Sequence, residues 1–372
     1  MPMDFTATVL DDVKIKIADI FPADQQVSPE FFASPVTLQG LAENQTALVS
    51  DDFIVSKQNG CIQRQVQYLK ADNIAAQANS ATPLALDCEI PTGDGLSSDV
   101  RLYNSNQHFK RTLSISDKDC DNYYKFAEKV SRGVASMMAL IANDINVDTI
   151  LKLQAGSQAI TAGNEGKGTI VGTTLQYPSA SFDDDTNGRL ISEWETIAIS
   201  ETIEPNFLVL DGKNLTTTLE QARYNAQNDN QRAAAARFFD GRHMFYRDVR
   251  TLAATTLDAS TFLVDKNMYA YYSAKIYDDQ LVQLGDKNVT STFSLPLMYK
   301  GYDGTGKTLQ FMTESGMQTA YVNVRYQKVC DPTSNSVTGQ VMMHNWEISY
   351  AGMFDFAPTE TTKTGVINIV KV

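Results

Sequence analysis

Residues 301–308, GYDGTGKT, spell GxxxxGKT, the pattern in which backbone amides cradle phosphates and a lysine reaches the terminal groups. That chemistry requires a helix opening at Lys307, so that its free amides and dipole face the anion. Here TLQFM follows, then Glu314-Ser315-Gly316 and the β-branched and aromatic run Tyr321 to Tyr326, which is hairpin sequence. Only 64 residues remain after Thr308, too few for a typical NTPase sheet to follow its first strand. The motif reads as a glycine-rich turn with an exposed lysine, and P-loop nucleotide binding stands as a distant alternative.

Asp183, Asp185, Asn187 and Gly188 open like an EF-hand loop, but the twelfth position, where the bidentate acid belongs, is Trp194 between Glu193 and Glu195. A solvated acidic turn is expected there, with an opportunistic cation site as the other reading. Cys61, Cys88, Cys120 and Cys330 are isolated, with no CxxC and no histidine at a zinc-ligand interval, so reduced thiols are expected. His108, His243 and His344 are far apart, and no GxSxG is present. His344, beside Trp346 in strand-like sequence, reads as a packed or interfacial residue rather than a general base. Asp51-Asp52 and Asp278-Asp279 read as solvated loop charges. No catalytic residue, metal ligand or cofactor site is assigned, and the chain is not expected to be an enzyme.

Charge narrows the partners. With 44 Asp and Glu against 31 Lys and Arg, the net charge of -13 opposes tight electrostatic binding to nucleic acid, although not a protein that surrounds it. The N-terminal MPMDFTATVLDD lacks a signal-peptide pattern, and no 18-residue apolar window stands out, so a soluble, cytoplasmically made chain with no membrane partner is expected. At 372 residues with 43% hydrophobic content, two or three subdomains are expected.

Among the elements, one dominates. Ser116 and Asp119 form a capping-box-like S-x-x-D with Ile115 at the staple position. Behind them Tyr123, Phe126, Ala127, Val130, Val134, Met137, Met138, Ile141 and Ile145 recur at helical spacing. This predicts a helix over 117–145, extended by 147–153 and stopped by Gly156. Gly133 in its middle implies close packing or a slight bend. The stripe is expected to pack around Trp346 and Tyr350.

Upstream, residues 1–45 show no sustained period and read as an extended arm with one short helix. LVSDDFIVS and CIQRQVQYL flank Asn59-Gly60 and predict a hairpin, followed by the loop-like stretch 70–96 and the strands DVRLY and FKRTLSI. This hairpin lacks an apolar face of its own, so Ile62, Val66 and Tyr68 are expected to contact a neighbouring subunit. Downstream, a strand is expected over 169–176 and a helix over Leu190, Trp194, Ile197 and Ala198. NFLVL and TFLVD read as buried strands, each followed by helical spacing: Leu215, Leu219, Ala222 and Ala226 after the first, Met268, Tyr271 and Tyr272 after the second. Beyond Val289 the chain turns β-rich.

This order of elements resembles the major capsid proteins of tailed double-stranded DNA bacteriophages, the Hong Kong ninety-seven type fold. The residues that carry it are RTLSISDKDCDNYYKFAEKVSRGVASMMALI with ILKLQAG, IEPNFLVLDGKNLTTTLEQARYN, DASTFLVDKNMYAYYSA and NWEISYAGMFDFAPTETTKTGVINI. The resemblance implies an α+β chain: an N-terminal arm (1–46), an extended hairpin loop with flanking strands (47–115), a spine helix of the peripheral domain (116–156) and an axial α/β domain (157–295). A β-rich return (296–372) completes the axial domain and the peripheral β-sheet. It further implies a structural subunit that self-assembles as hexamers and pentamers into an icosahedral shell around viral DNA, bound without sequence specificity. Its setting would be the virion, assembled through a maturing procapsid in the host bacterial cytoplasm, with portal, scaffold and decoration proteins as partners. A start at Met1 suggests a separate scaffold or none. A tail-tube or adhesion protein is the first alternative.

Overall fold

A computed structural model describes residues 13, 15–16, 36–44, 63–70, 97–104, 106–116, 123–179, 181, 189–204, 206–212, 244–248, 260–266, 268–273, 282–283, 288–300, 306–313, 316–330, 342–356 and 363–372. In chain order come α1 (Val36–Asn44), β1 (Gln63–Lys70), β2 (Ser97–Asn104), β3 (Gln107–Ser116) and α2 (Tyr123–Ala155). Then follow β4 (Thr169–Val171), β5 (Thr174–Tyr177), α3 (Arg189–Ser200), β6 (Leu208–Asp211), β7 (Met244–Arg247), β8 (Ser260–Val264) and β9 (Tyr269–Ser273). The remainder is β10 (Val282–Gln283), β11 (Asn288–Ser294), β12 (Pro296–Lys300), β13 (Gly306–Thr308), β14 (Gln310–Thr313), β15 (Gly316–Thr319), β16 (Tyr321–Cys330), β17 (Met342–Phe356) and β18 (Val366–Lys371).

α2 is the expected spine. Its 33 residues span about 50 Å at ~1.5 Å each. No proline interrupts it, and Glu128–Arg132 and Asp148–Lys152 ion pairs each bridge successive turns. It runs to Ala155, and Gly156 ends it as expected, its amide still bonded to the Lys152 carbonyl at 2.8 Å. Ser116 is the last residue of β3, paired with Met343, and Asp119, the other member of the expected capping box, lies outside the described residues. A Cβ at Gly133 would run into the Leu113 side chain of β3, so the glycine marks close approach of helix to sheet. The stretch Phe126–Ala155 is long and apolar enough to cross a membrane by length and composition, which corrects the expectation that no such window exists. Its apolar stripe instead faces the protein interior.

The sheet beneath it, in the order β10-β11-β16-β17-β3 with β9 also on β17, is antiparallel throughout. β16 and β9 lie end to end along one edge of the 15-residue β17, where Ser273 Oγ bonds Tyr321, and β3 takes the other edge. Trp346 sits opposite Leu113 and Tyr326, and Tyr350 opposite Phe109. With Val130, Val134, Met137 and Ile141 these aromatics form one continuous core, as the helical stripe predicts. Burial alternates along β3 and the first half of β17, where one face is covered, whereas Tyr350 to Phe354 are buried on both faces. Tyr269 to Ser273, expected to continue as helix, is instead β9. Its i, i+3, i+4 apolar spacing looks helical, but its tyrosine-rich sequence suits a pleated strand and the far end of β17 offers an edge to pair with.

The second sheet, β4-β5-β18-β8-β6-β7, mixes parallel pairs (β5 with β18, β6 with β7) with antiparallel ones. Apolar groups cover it on both sides. Leu208, Leu210, Phe262, Val264 and Val366 face the spine core, while Val209, Leu263, Ile367 and Ile369 face a separate cluster built with α3. Leu190, Trp194, Ile197 and Ala198 are the buried stripe of α3, as their spacing predicts. The single strand expected over 169–176 is a hairpin, β4–β5, turned at Gly172 with φ of 64°.

Three two-stranded ribbons complete the fold: β1–β2, β12–β13 and β14–β15. β1 pairs with β2, and the expected Asn59-Gly60 turn, with the run before it, lies outside the described residues.

Candidate assembly site and the groups that brace it

The β1–β2 ribbon pairs Gln63 with Asn104 through to Lys70 with Ser97, and among the described residues no third strand joins it. Val66 stands opposite Arg101 and Tyr68 opposite Asp99, so both expected contact residues lie on one face; Ile62 is outside the described residues. A two-stranded ribbon is marginally stable in water on its own. Its base is held firmly. Asn106, two residues beyond β2, donates its amide to the Gly352 carbonyl at 3.0 Å, and Lys152 of α2 reaches the Asn106 carbonyl at 3.0 Å. Gln107 bonds Asp148 at 2.9 Å and Thr149 at 3.1 Å, and Arg111 pairs with Asp144. The ribbon is therefore rooted where spine and sheet meet.

A second brace has no local signature. α1 is buried along nearly its whole length, with Thr37, Gln39 and Asn44 enclosed as well as Val36, Leu38, Leu41 and Ala42. Its first-turn amides are capped from afar: Asp248 accepts from the Thr37 amide at 3.1 Å and hydroxyl at 3.0 Å, and Asn146 Oδ1 accepts from the Leu38 amide at 2.9 Å. Asn146 Nδ2 in turn donates to Asp248 at 2.7 Å. The carboxylate thus sits at the positive end of the helix dipole and satisfies donors that the helix cannot. At the other end, Tyr269 Oη donates to the Leu41 carbonyl at 2.7 Å and Tyr246 Oη to Glu43 at 2.6 Å. One short helix thereby joins the spine (Asn146), the second sheet (Tyr246, Asp248) and the first sheet (Tyr269).

Glu201 forms the third brace, just past the end of α3. Its side chain is fully enclosed and pairs with Lys363 ahead of β18, while the Thr161 amide and Asn164 Nδ2 each donate to it at 2.8 Å. Burial alone would raise its pKa, but Lys363, Asn164 and the Thr161 amide together outweigh that and hold it below the ordinary 4.5. The helix ends beside it in a Schellman turn, Ile203 N to Ala198 O at 2.8 Å, with Thr202 in the left-handed position at φ 66°. Glycine usually fills that position, so a β-branched residue there is strained.

The chemistry-bearing motifs resolve differently. Gly306, Lys307 and Thr308 are strand β13, with Lys307 paired to Leu297 and Thr308 to Pro296, so no helix opens at the lysine to receive a phosphate. His344 is buried, its Nδ1 2.5 Å from Tyr326 Oη, with its ring stacked on Tyr326 and edge-on to Phe126. It is the packed residue expected. Tyr271 and Tyr350 share a 2.5 Å hydroxyl contact in the spine core, and burial pushes both phenols above their usual range, so the pair stays neutral. Asp183 to Gly188 lie outside the described residues, and among the described residues no group of three or more His, Cys, Asp and Glu is placed to hold a metal.

No family model matches this sequence, and no curated protein is significantly similar to it. Solved structures similar to it include chains from bacteriophages. The capsid of Myoviridae phage XM1 matches at 13% identity over 92% of this chain and 93% of that one, with a TM-score of 0.40. The cyanophage Pam1 capsid asymmetric unit matches at 9% identity over 90% and 92%, with a TM-score of 0.44. A chain of Microbacterium phage Oxtober96 matches at 12% identity over 94% of each, with a TM-score of 0.44.

The braces were invisible to sequence reasoning. Asp248 and Asn146 lie more than 100 positions from the helix they cap, and Glu201 is 162 from Lys363. The local signal at Thr37, a hydroxyl in the first turn of a short helix, marks a helix start but not its distant acceptors.

Proposed function

We propose that this protein is the repeating subunit of an icosahedral phage capsid, assembling through hexamers and pentamers into a shell that encloses double-stranded DNA without reading its sequence. The observation that carries this reading is a chain whose two sheets share one spine core yet which also carries a two-stranded ribbon that no third strand joins among the described residues. A monomeric enzyme has no use for a rod of ~50 Å with such a ribbon rooted beside it; a tile that overlaps the next tile does.

In this reading residues 1–46 are an arm, 47–115 the reaching hairpin, 116–156 the spine and 157–295 the axial segment, from which β9 to β11 leave to join the spine sheet. Residues 296–372 complete both sheets. Val66 and Tyr68, with Ile62 beside them in sequence, contact the neighbouring subunit. Assembly takes place in the host bacterial cytoplasm, with portal, scaffold and decoration proteins as partners. The net charge of -13 suits a container that must release its contents, because a strongly basic wall would retain DNA.

Negative-stain microscopy with light scattering on the purified chain tests the reading. Closed shells or ring-shaped capsomers are expected. Open tubes, or a species that remains monomeric at every concentration and salt, would overturn it.

A further inference from the structure

Glu201 holds more than an ion pair requires. Lys363 Nζ donates to its Oε2 and Asn164 Nδ2 donates to its Oε1 at 2.8 Å, so an amine and a carboxamide sit on the two oxygens of one enclosed acid. The segments that carry them are pinned together. Gln158 donates its amide to the Val366 carbonyl at 2.8 Å and accepts from the Gly365 amide at 2.9 Å, and the Thr364 hydroxyl donates to the Gly156 carbonyl. Asn164 is turned back by its own amide, bonded to the Thr161 carbonyl at 3.0 Å, while the Thr161 amide shares Glu201 Oε1 at 2.8 Å. Thr202, next to Glu201, keeps its left-handed φ of 66°, backbone strain of the kind that collects at reactive sites.

The geometry points to a self-catalysed isopeptide bond, formed within one chain between Lys363 Nζ and Asn164 Cγ with Glu201 as acid and base. It does not depend on the shell reading. An ion-pair brace would be complete with Lys363 alone; the carboxamide on the second oxygen supplies an electrophile beside the amine. Holding both against one acid replaces a chance encounter by a fixed one, which is worth a large part of the barrier for acyl transfer. Enclosure of the carboxylate also keeps out the water that would compete for the amide carbon. The bond ties the connection behind α2 to the lead into β18.

The resting pair is ionic: burial raises the Glu201 carboxyl, but Lys363, Asn164 and the Thr161 amide outweigh it. Reaction begins when one proton passes from Lys363 Nζ to Glu201 Oε2, leaving a neutral amine beside a neutral acid. The amine lone pair then forms a bond to Asn164 Cγ. Glu201 gives its proton to Asn164 Nδ2 and takes one from Nζ, and the Cγ–Nδ2 bond breaks. Ammonia leaves with the proton that Glu201 has just taken, as ammonium. A lysine ammonium and an asparagine carboxamide thereby become one secondary amide and one ammonium ion, with Glu201 returned as carboxylate and no oxidant or reductant consumed. Because the ion pair must first be neutralised, the step is slow and a freshly folded chain starts unlinked.

The test incubates the freshly refolded full chain at neutral pH and follows its intact mass, with protease digestion and fragment sequencing by mass spectrometry. Wild type should become lighter by one ammonia and yield a branched peptide joining Lys363 to Asn164. Lys363→Arg, which keeps the positive charge but is not acylated, should keep its full mass. Glu201→Gln should lose ammonia at least about a hundredfold more slowly. Near-ultraviolet circular dichroism checks that each variant folds, and Asn164→Ala, at a partly buried turn, replaces either one that does not. A wild type that keeps its full mass at every time overturns the proposal. So does ammonia loss that persists in Lys363→Arg, which marks ring closure of an asparagine on its own backbone, and so does a branched peptide found only in species of doubled mass. Glu201→Gln linking as fast as wild type removes Glu201 as the acid and base.

Discussion

The spine sheet and the β1–β2 ribbon are both built from antiparallel strands, yet among the described residues only the first extends beyond two of them. Under α2, Val130, Val134, Met137 and Ile141 meet Trp346, Ile348 and Tyr350, each at most 7% exposed. The ribbon has the same backbone pairing but no third strand among the described residues. Backbone pairing is similar in the two; the number of strands that join it among the described residues is not. The comparison teaches that a ladder alone does not make a stable region, since apolar area removed from water supplies most of the driving force.

Truncation should separate the two regions most sharply. Ile141→Ala or Met137→Ala removes packed atoms from the spine core and should cost about 2 to 5 kcal/mol in the urea unfolding of dissociated subunits. Val66→Ala or Tyr68→Ala should change that stability by no more than about 0.5 kcal/mol while reducing assembly. Comparable losses of subunit stability at both places would show the ribbon to be part of the folded core and break the comparison.

The buried cap of α1 gives the next effect. Asp248→Ala leaves the Thr37 amide and hydroxyl and Asn146 Nδ2 without their acceptor, at about 1 to 3 kcal/mol for an orphaned buried group. Hydrogen exchange should show amides of 37–44 losing protection ahead of those of 130–150. Uniform loss across both helices would mean that α1 does not open as a separate unit.

The Glu201 brace should give the smallest effect, and a pH-dependent one. A carboxylate held below its ordinary 4.5 in the folded state binds protons more readily when unfolded. Its stabilisation is therefore complete above the unfolded value and is lost as pH falls through the lower folded value. The urea-midpoint gap between wild type and Glu201→Gln should accordingly be constant from neutral pH to about pH 5 and close below about 4.5. A gap that widens on acidification would reverse the sign and remove Lys363 as its cause.

Much of the architecture was legible along the chain wherever one periodicity was carried by burial on a known number of faces. The spine showed because nine apolar residues keep helical spacing on one side. NFLVL and TFLVD showed because β6 and β8 are covered on both faces and so read as continuous apolar runs. β9 misled because Met268, Tyr271 and Tyr272 fit a helical spacing by coincidence. The Asn59-Gly60 dipeptide could not foretell β2 as a partner of β1, because a local turn signal says nothing of a strand some thirty residues on.

The amino-acid order by itself therefore determined the long helix, the buried strands, the acidic balance and the absence of a helix behind the GKT motif, since each depends on neighbours within a few positions. Only the tertiary structure decided that β2 pairs with β1, that Asp248 and Asn146 cap a helix far away in sequence, and that Lys363 pairs with Glu201. Those are matters of register and of buried hydrogen-bond satisfaction. A donor in the core accepts any suitable partner that the fold brings within about 3 Å, whatever its distance along the chain.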